Sequence, residues 1–129
     1  ALSRGAARVV FLESHPSCLK AVQENLARAA TYECPGRWEL MRGDVLRSLR
    51  ALSRRTSPFE VVLLDPPYQG GWGKKALNVV AECGMLAPAG ILCLEHARQH
   101  DLPAAVDQLT LAKQHRYGDT VLSFYRLRE

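Results

Sequence analysis

Short apolar runs alternate with segments of helical periodicity along the first half of the chain. Arg8–Glu13 predicts a buried strand, and apolar residues then recur at the spacing of one helix face between Pro16 and Ala30. Trp38–Arg42 predicts a second strand, and a helix with a basic outer face follows Asp44. Phe59–Leu64 is apolar almost throughout, which is typical of a parallel strand covered on both faces.

The second half continues the alternation and ends differently. The pattern predicts a helix over Lys74–Leu86, a turn over Ala87–Gly90, a strand over Ile91–Glu95 and a short helix over Asp101–Leu109. Two strand-like segments, Leu111–Tyr117 and Thr120–Arg128, then flank Gly118 and Asp119 as a hairpin. The predicted class is α/β, an open and mostly parallel sheet with a C-terminal antiparallel hairpin.

Composition sets the scale of the fold. A chain of 129 residues with 47% hydrophobic content is sized for one domain over 1–129, with a core that needs no metal or disulfide. Its longest aliphatic run, Val61–Leu64, is far below the ~20 residues of a membrane span. The given sequence has no secretory signal pattern, so we expect a cytoplasmic protein. The net charge of +4 favours polyanionic partners.

Cysteine and histidine usage argues against metal chemistry. The four cysteines lack a CxxC spacing and are interpreted as reduced thiols; they are Cys18, Cys34, Cys83 and Cys93. The histidines show no ligand spacing either, so no metal site is expected.

Acidic residues stand at the predicted ends of the strands: Glu13, Asp44, Asp65 and Glu95. In open α/β sheets, ligands bind beyond the carboxyl ends of the strands. A single acid there can equally be a helix cap, but four at one edge predict a ligand site.

The first two acids suit a nucleoside. The Glu13 carboxylate can accept hydrogen bonds from two ribose hydroxyls, its alternative being a solvent-facing position near a helix start. Asp44 can accept from an adenine amine while Val45 offers its amide to a ring nitrogen. An N-cap is the alternative role of Asp44, and the two roles can coexist.

The most informative motif is Asp65-Pro66-Pro67-Tyr68. Two prolines fix the backbone and remove two amide donors, leaving a rigid row of acceptors. A nucleobase amine is a poor nucleophile because its lone pair is delocalised into the ring. The Asp65 carboxylate and the Pro66 carbonyl can each accept one N–H, which aims the lone pair at a methyl donor, and Tyr68 can stack on the base. The alternative is a proline-rich strand terminator.

The chain resembles the RsmD-type family along its whole length, through the segments RGAARVVFLE, FEVVLLDPPY, LAPAGILCLEH and RYGDTVLSFYR. The family methylates a guanine N2 amine in small-subunit ribosomal RNA on a Rossmann-like class I methyltransferase fold. The resemblance implies S-adenosylmethionine as cofactor and ribosomal RNA or the small-subunit particle as partner. It assigns the target base and catalysis to Asp65, Pro66, Pro67 and Tyr68, and the cofactor to Glu13, Ser14, Gly43, Asp44 and Val45.

Two surface features could serve such a substrate. Seven cations could contact phosphates, although a solvated face is the commoner role for each: Arg42, Arg47, Arg50, Arg54, Arg55, Lys74 and Lys75. The glycines around Trp72 could form a mobile lip over the base or a simple flexible loop.

One part of the family pattern is missing. The family begins with a strand and a glycine-rich loop, whereas this sequence starts at ALSRGA, which would follow them, and contains no GxGxxG. We therefore expect an N-terminally incomplete domain, with a gap between the strands ending at Glu13 and Asp65. The gap should expose apolar side chains and weaken cofactor binding.

Other functions compete with this interpretation. DPPY also occurs in DNA adenine-N6 methyltransferases. The absent glycine loop favours a catalytically deficient remnant that binds RNA or a protein partner. A dinucleotide-dependent oxidoreductase is the weakest alternative, since DPPY has no role in it.

Overall fold

The computed structural model describes residues 4–30, 36–67 and 70–128, and the chain divides into two structural units. The first unit ends at Leu49 and the second begins at Arg50. In the described residues, no helix is both long and apolar enough to cross a bilayer. The predicted single domain over 1–129 stays a prediction, and each unit is described by itself.

The first unit is built on one parallel pair of strands. Its elements are β1 Arg8–Glu13, α1 Pro16–Ala30, β2 Arg37–Arg42 and the start of α2, which spans Val45–Ser53. Arg8 lies opposite Arg37 and Glu13 opposite Arg42, so both strands end at the same edge. These predicted elements are confirmed, although β1 is half-buried rather than buried.

The second unit is a five-stranded mixed sheet with one long helix. Its elements are β3 Phe59–Leu64, α3 Trp72–Cys83, β4 Leu86–Ala97, β5 Ala105–Val106, β6 Leu109–Tyr117 and β7 Thr120–Leu127. The order is β3-β4-β7-β6-β5, with β3 and β4 parallel and the other neighbours antiparallel. The α/β class and the terminal hairpin are confirmed. The sheet contains more antiparallel strand pairing than the predicted hairpin alone, because β7 also pairs with β4.

The core of this unit lies between α3 and the sheet. Leu77 and Val80 of α3 are buried, as are Leu92 and Leu94 of β4. Tyr125 is fully buried and its hydroxyl donates to the Pro103 carbonyl oxygen at 2.8 Å. Burial raises the pKa of Tyr125 to about 12, so this side chain remains a neutral hydrogen-bond donor at all ordinary pH values.

The predicted turn over Ala87–Gly90 is wrong, because β4 runs through it from Leu86. A Cβ on Gly90 would lie 2.9 Å from the Glu60 carbonyl oxygen and 2.8 Å from Leu86 Cδ1. Glycine is needed here for the close approach of β3 to β4, near an irregularity in their register. The adjacent helix ends at Cys83, before the predicted Leu86, because Gly84 takes the left-handed conformation at φ 60°.

The predicted helix over Asp101–Leu109 is also wrong. Ala105–Val106 forms the short strand β5, which pairs with β6 through a turn at Asp107 and Gln108. The amide of Leu111 donates to the Ala104 carbonyl at 2.8 Å, so the neighbouring strand rather than a helix satisfies this backbone.

The outer face of β3 differs from its prediction as well. Val61 and Leu63 are 56% and 70% exposed, so the strand is not covered on both faces. β3 stands at the end of its sheet, and the sequence had indicated exposed apolar side chains beside a gap. β3 is therefore an edge strand of this sheet with one open face, and not a strand covered on both faces.

Gly90→Ala should destabilise the protein by about 1–3 kcal/mol, because the added methyl group meets backbone oxygen atoms that cannot move independently. Gly73→Ala is the matched control, since its Cβ would meet only leucine methyl groups at 3.5 Å or more. Urea unfolding of the three proteins measures the difference. Equal free energies of unfolding for Gly90→Ala and the unaltered chain would contradict the close approach.

Candidate active site

The first group of predicted site residues lies at the carboxyl edge of β1 and β2. The Gly43 amide donates to the Glu13 carbonyl oxygen at 3.2 Å and links the two strand ends. Gly43 has φ 112°, a conformation that side chains other than hydrogen rarely permit. This turn holds Glu13 and Asp44 at the same edge.

The Glu13 side chain is oriented by the start of α1. Its Oε1 accepts hydrogen bonds from the amides of Ser14 at 3.2 Å and His15 at 3.0 Å. Among the described residues, none donates to the other carboxylate oxygen. The helix itself is capped by His15, whose Nδ1 accepts from the Ser17 amide at 3.3 Å. Glu13 therefore presents one fixed, unoccupied acceptor at the strand end.

Asp44 caps α2, which confirms the alternative role foreseen for it. Its Oδ1 accepts from the Arg47 amide at 2.8 Å, while its carbonyl accepts from the Ser48 amide at 2.9 Å. The second carboxylate oxygen receives no hydrogen bond from the described part of the chain. Val45 is the first residue of α2, so its amide has no partner within the helix. An acceptor and a donor thus stand side by side, as recognition of an adenine edge requires.

The second group lies at the carboxyl edge of β3 and β4. Leu64 pairs with Leu94 in the parallel register, so the next residues, Asp65 and Glu95, are neighbours. A hydrogen bond from the protonated Glu95 carboxyl to Asp65, then the Asp65 charge and burial, raises the pKa of Glu95 above its ordinary value of 4.5. The sequence predicted Glu95 only as a strand end, because its position next to Asp65 follows from the parallel register of β3 and β4.

A cavity of about 340 Å³ adjoins the proline pair. Pro66, Pro67, Trp72, Glu95 and Leu102 are among its lining residues. Trp72 is 37% exposed, and the Lys75 ammonium lies 4.9 Å from the centre of its ring. Such an aromatic face beside a row of acceptors can hold a planar heterocycle with exocyclic N–H groups.

Two predicted features need correction or remain outside the described residues. Trp72 and Gly73 belong to the first turn of α3 and not to a mobile lip. Tyr68 lies outside the described residues, as does Cys34.

Of the cations predicted to contact phosphate, Arg50 forms an ion pair with Glu82 at 3.7 Å. In the described ranges, no three metal-ligating side chains come together.

The structure therefore brings Glu13, Gly43 and Asp44 together in the first unit, and Asp65, Pro66 and Glu95 in the second. A ribose and adenine would find acceptors and a donor at the first group, so the residues present fit an adenosyl cofactor. The second group fits the acceptor of a methyl group. Each group stands at the end of a parallel strand pair, the usual position for a ligand in this class of sheet.

The fold is that of the Rossmann-like methyltransferases. A solved structure titled "putative methylase HI0767" from Haemophilus influenzae superimposes with a TM-score of 0.78 at 26% identity, over 99% of this chain and 77% of that one. The family described as "Conserved hypothetical protein 95" matches residues 1–126. The chain belongs to this family, the RsmD family.

Curated relatives carry more specific names. "Putative rRNA methyltransferase YlbH" of Bacillus subtilis is 32% identical over 99% of this chain and 68% of its own length. "Ribosomal RNA small subunit methyltransferase D" of Escherichia coli is 22% identical over 98% of this chain and 60% of its own length. The chain thus spans about two thirds of these relatives.

Glu95→Gln should stabilise the protein at neutral pH. Because the folded pKa of Glu95 is raised, its contribution to stability is fully present below pH 4.5 and is lost as pH rises through the folded value. The amide cannot ionise, so the repulsion from Asp65 disappears. We expect Tm at pH 7 to rise by about 1–4 °C and its decline between pH 4.5 and 7 to flatten.

Glu60→Gln is the control for this measurement, since it removes an exposed carboxylate from the start of β3. Thermal unfolding across the pH range compares the variants. A lower Tm for Glu95→Gln at pH 7 would show that the carboxyl pair is not repulsive there.

Proposed function

We propose that this chain carries the methyl-transfer site of an S-adenosylmethionine-dependent enzyme that methylates a guanine N2 amine in small-subunit ribosomal RNA. The supporting observation is a cavity lined by Trp72 and by Pro66 and Pro67, which come directly after Asp65 in the sequence, on a methyltransferase fold. Two relatives are named as ribosomal RNA methyltransferases, one of them of the small subunit, which supports ribosomal RNA as the substrate. Ribosomal RNA as substrate also agrees with the cytoplasmic location expected from the sequence.

Catalysis in this proposal is positioning. Asp65 and Pro66 each accept one N–H of the guanine amine, which turns its lone pair away from the ring system and toward the methyl group. Pro66 and Pro67 have no N–H of their own, so no local donor competes for these acceptors. The attack needs no strong base, because the amine loses its proton only after the new bond has formed.

Glu95 is the neighbour of Asp65 at this edge of the sheet. When its carboxyl group is protonated, it can donate a hydrogen bond to one Asp65 oxygen and leave the other for the substrate. When both groups are ionised they repel each other, so the protonated form of Glu95 is the one that would orient Asp65 before the substrate arrives and lower the entropy lost on binding.

Stacking supplies the remaining orientation. Trp72 lines the cavity with an exposed ring, and Tyr68 follows the prolines directly in the sequence. We assign Tyr68 to the face of the splayed-out guanine, because base stacking is worth about 1–3 kcal/mol and tolerates any base. The acceptors at Asp65 and Pro66 then provide selection for an exocyclic amine.

The cofactor would be held by the first unit. S-adenosylmethionine supplies an electrophilic methyl group on a sulfonium centre. Glu13 would accept from the ribose hydroxyls with Ser14 beside it, and Asp44 and Val45 would read the adenine edge past the Gly43 turn. Both carboxylates are already oriented by local hydrogen bonds.

Asp65→Ala should lower methyl transfer by at least about 100-fold, because one of two orienting acceptors is lost. The assay measures radioactive methyl transfer to unmethylated small ribosomal subunits, followed by nuclease digestion to locate the label. Removing Asp65 also relieves its repulsion with Glu95, so unfolding would not explain the loss. Glu60→Ala serves as control. The same assay with DNA offered as a second substrate tests the alternative: label on adenine N6 of DNA rather than guanine N2 of RNA would favour the adenine enzyme. No transfer by a folded sample would favour the inactive remnant.

Two substitutions of Asp44 should separate its capping and binding roles. Asn preserves a capping oxygen, whereas Ala removes it and costs about 1 kcal/mol of stability. In Asp44→Asn the outward group is an amide N–H₂, a donor that cannot accept from the adenine amine. Calorimetric titration with S-adenosylmethionine should show weakened binding in both variants, with stability lost only in Asp44→Ala. Unchanged affinity in both would remove Asp44 from the cofactor site.

A further inference from the structure

A second cavity of about 390 Å³ lies on the second unit, beside the turn that joins β6 to β7. Its charged lining consists of Arg98, Arg116 and Asp101, together with His96 and His100. The function proposed above uses none of these residues. Its volume falls within the range of small-ligand sites.

The wall of this cavity is a fixed polar network. His96 is buried, and its Nδ1 donates to the Ala97 carbonyl oxygen at 2.9 Å. Its Nε2 is hydrogen-bonded to the Ser123 hydroxyl at 2.6 Å, and that oxygen accepts from Gln114 Nε2 at 2.8 Å. Ser123 is fully buried, so the serine and histidine pair cannot act as a nucleophile on an outside substrate. The network instead makes this wall of the cavity rigid.

The two cavities lie side by side. Both are lined by His96, His100, Asp101 and Leu102. The first contains Pro66, Pro67 and Trp72, where the target base is placed, and the second contains Arg98 and Arg116. A polynucleotide with one base in the first cavity therefore has its adjoining residue next to the second.

The charges of the second cavity suit a phosphodiester. Arg98 follows β4. Its backbone amide donates to the Asp119 carbonyl oxygen at 2.8 Å, which fixes the backbone from which its side chain extends. Arg116 stands on β6 opposite Val121. Both side chains are exposed, and neither forms an ion pair with a carboxylate in the described residues. Guanidinium groups bind phosphate oxygens through paired N–H donors.

Asp101 makes the cavity a poor site for a bare anion. Among the described residues of the lining it is the single carboxylate, and it would repel free phosphate. A nucleotide carries donors as well as a phosphate, and a ribose 2′-hydroxyl can donate to this carboxylate. The mixture of two cations and one acceptor therefore matches a ribonucleotide better than an inorganic ion.

We propose that the second cavity binds the RNA nucleotide that adjoins the target guanosine. Arg98 and Arg116 hold its phosphate, and Asp101 accepts from its ribose hydroxyl. This proposal rests on the proposed function, since it places the guanosine in the first cavity. It predicts that the enzyme engages a strand of at least two nucleotides and not an isolated guanosine.

Fluorescence anisotropy of a labelled RNA heptamer with one central guanosine tests the proposal. The double variant Arg98→Ala/Arg116→Ala should bind about tenfold more weakly at ~0.1 M salt, and its plot of log K against log salt concentration should be shallower by about 0.7, the value for one single-strand phosphate contact. Arg128→Ala is the matched control, because this cation lies roughly 20 Å away along β7. The affinity of this control variant for the RNA heptamer should stay within about twofold of that of the unaltered chain.

Three further arms sharpen the result. Arg98→Lys/Arg116→Lys should keep the salt slope, which shows that the alanine variant lost charge and not its fold. A DNA heptamer of the same sequence should bind more weakly than the RNA, because it lacks the ribose 2′-hydroxyl that donates to Asp101. Equal affinity for DNA and RNA would overturn the role of Asp101. Inorganic phosphate at millimolar concentration should not displace the RNA, and full displacement would mean an anion site only.

Failure of the nucleotide site can be distinguished from failure of the proposed methyl-transfer activity. An alanine double variant that binds RNA as the unaltered chain does overturns the second cavity even where methyl transfer is found. Weak binding by the double variant, with no methyl transfer by the unaltered chain, supports the nucleotide site and refutes the enzyme activity. An unaltered chain that does not bind the heptamer refutes the nucleotide site itself.

Discussion

The parallel pairing of β3 with β4 determines most of what the second unit can do. Its register sets Leu64 opposite Leu94 and so brings two acids to the same edge of the sheet. Gly90 allows the strands to approach closely, and the buried leucines of β4 hold the pair against α3. The chemistry proposed at Asp65 therefore depends on backbone hydrogen bonds several residues away from it.

In the first unit, the candidate ligand groups also serve the fold. Glu13 orients the start of α1, and Asp44 caps α2, each through a single carboxylate oxygen. Such double use keeps the second oxygen fixed in direction without a separate supporting residue. It also means that stability and ligand affinity change together when either side chain is truncated, so conservative substitutions are more informative than alanine.

The sequence predicted elements whose signals were local. Strands such as β1 carry a continuous apolar run, and Asp44 stands directly before an amphipathic helix, so the cap could be foreseen. Long-range contacts decided the failures. Gly90 looks like a turn residue until β3 lies beside it, and Ala105–Val106 takes the strand form because β6 supplies its hydrogen bonds. The partnership of Glu95 with Asp65 depends on register, which no single-strand pattern contains.

The open face of β3 has a consequence for the behaviour of the protein in concentrated solution. Val61 and Leu63 are exposed on a strand at the end of its sheet, an arrangement that invites pairing between molecules. Charged residues stand at both ends of the apolar stretch, Glu60 before it and Asp65 after it, and both are exposed. Charges in these flanking positions oppose self-association of β-rich segments. Asp65 therefore opposes association between molecules, in addition to the catalytic role proposed for it.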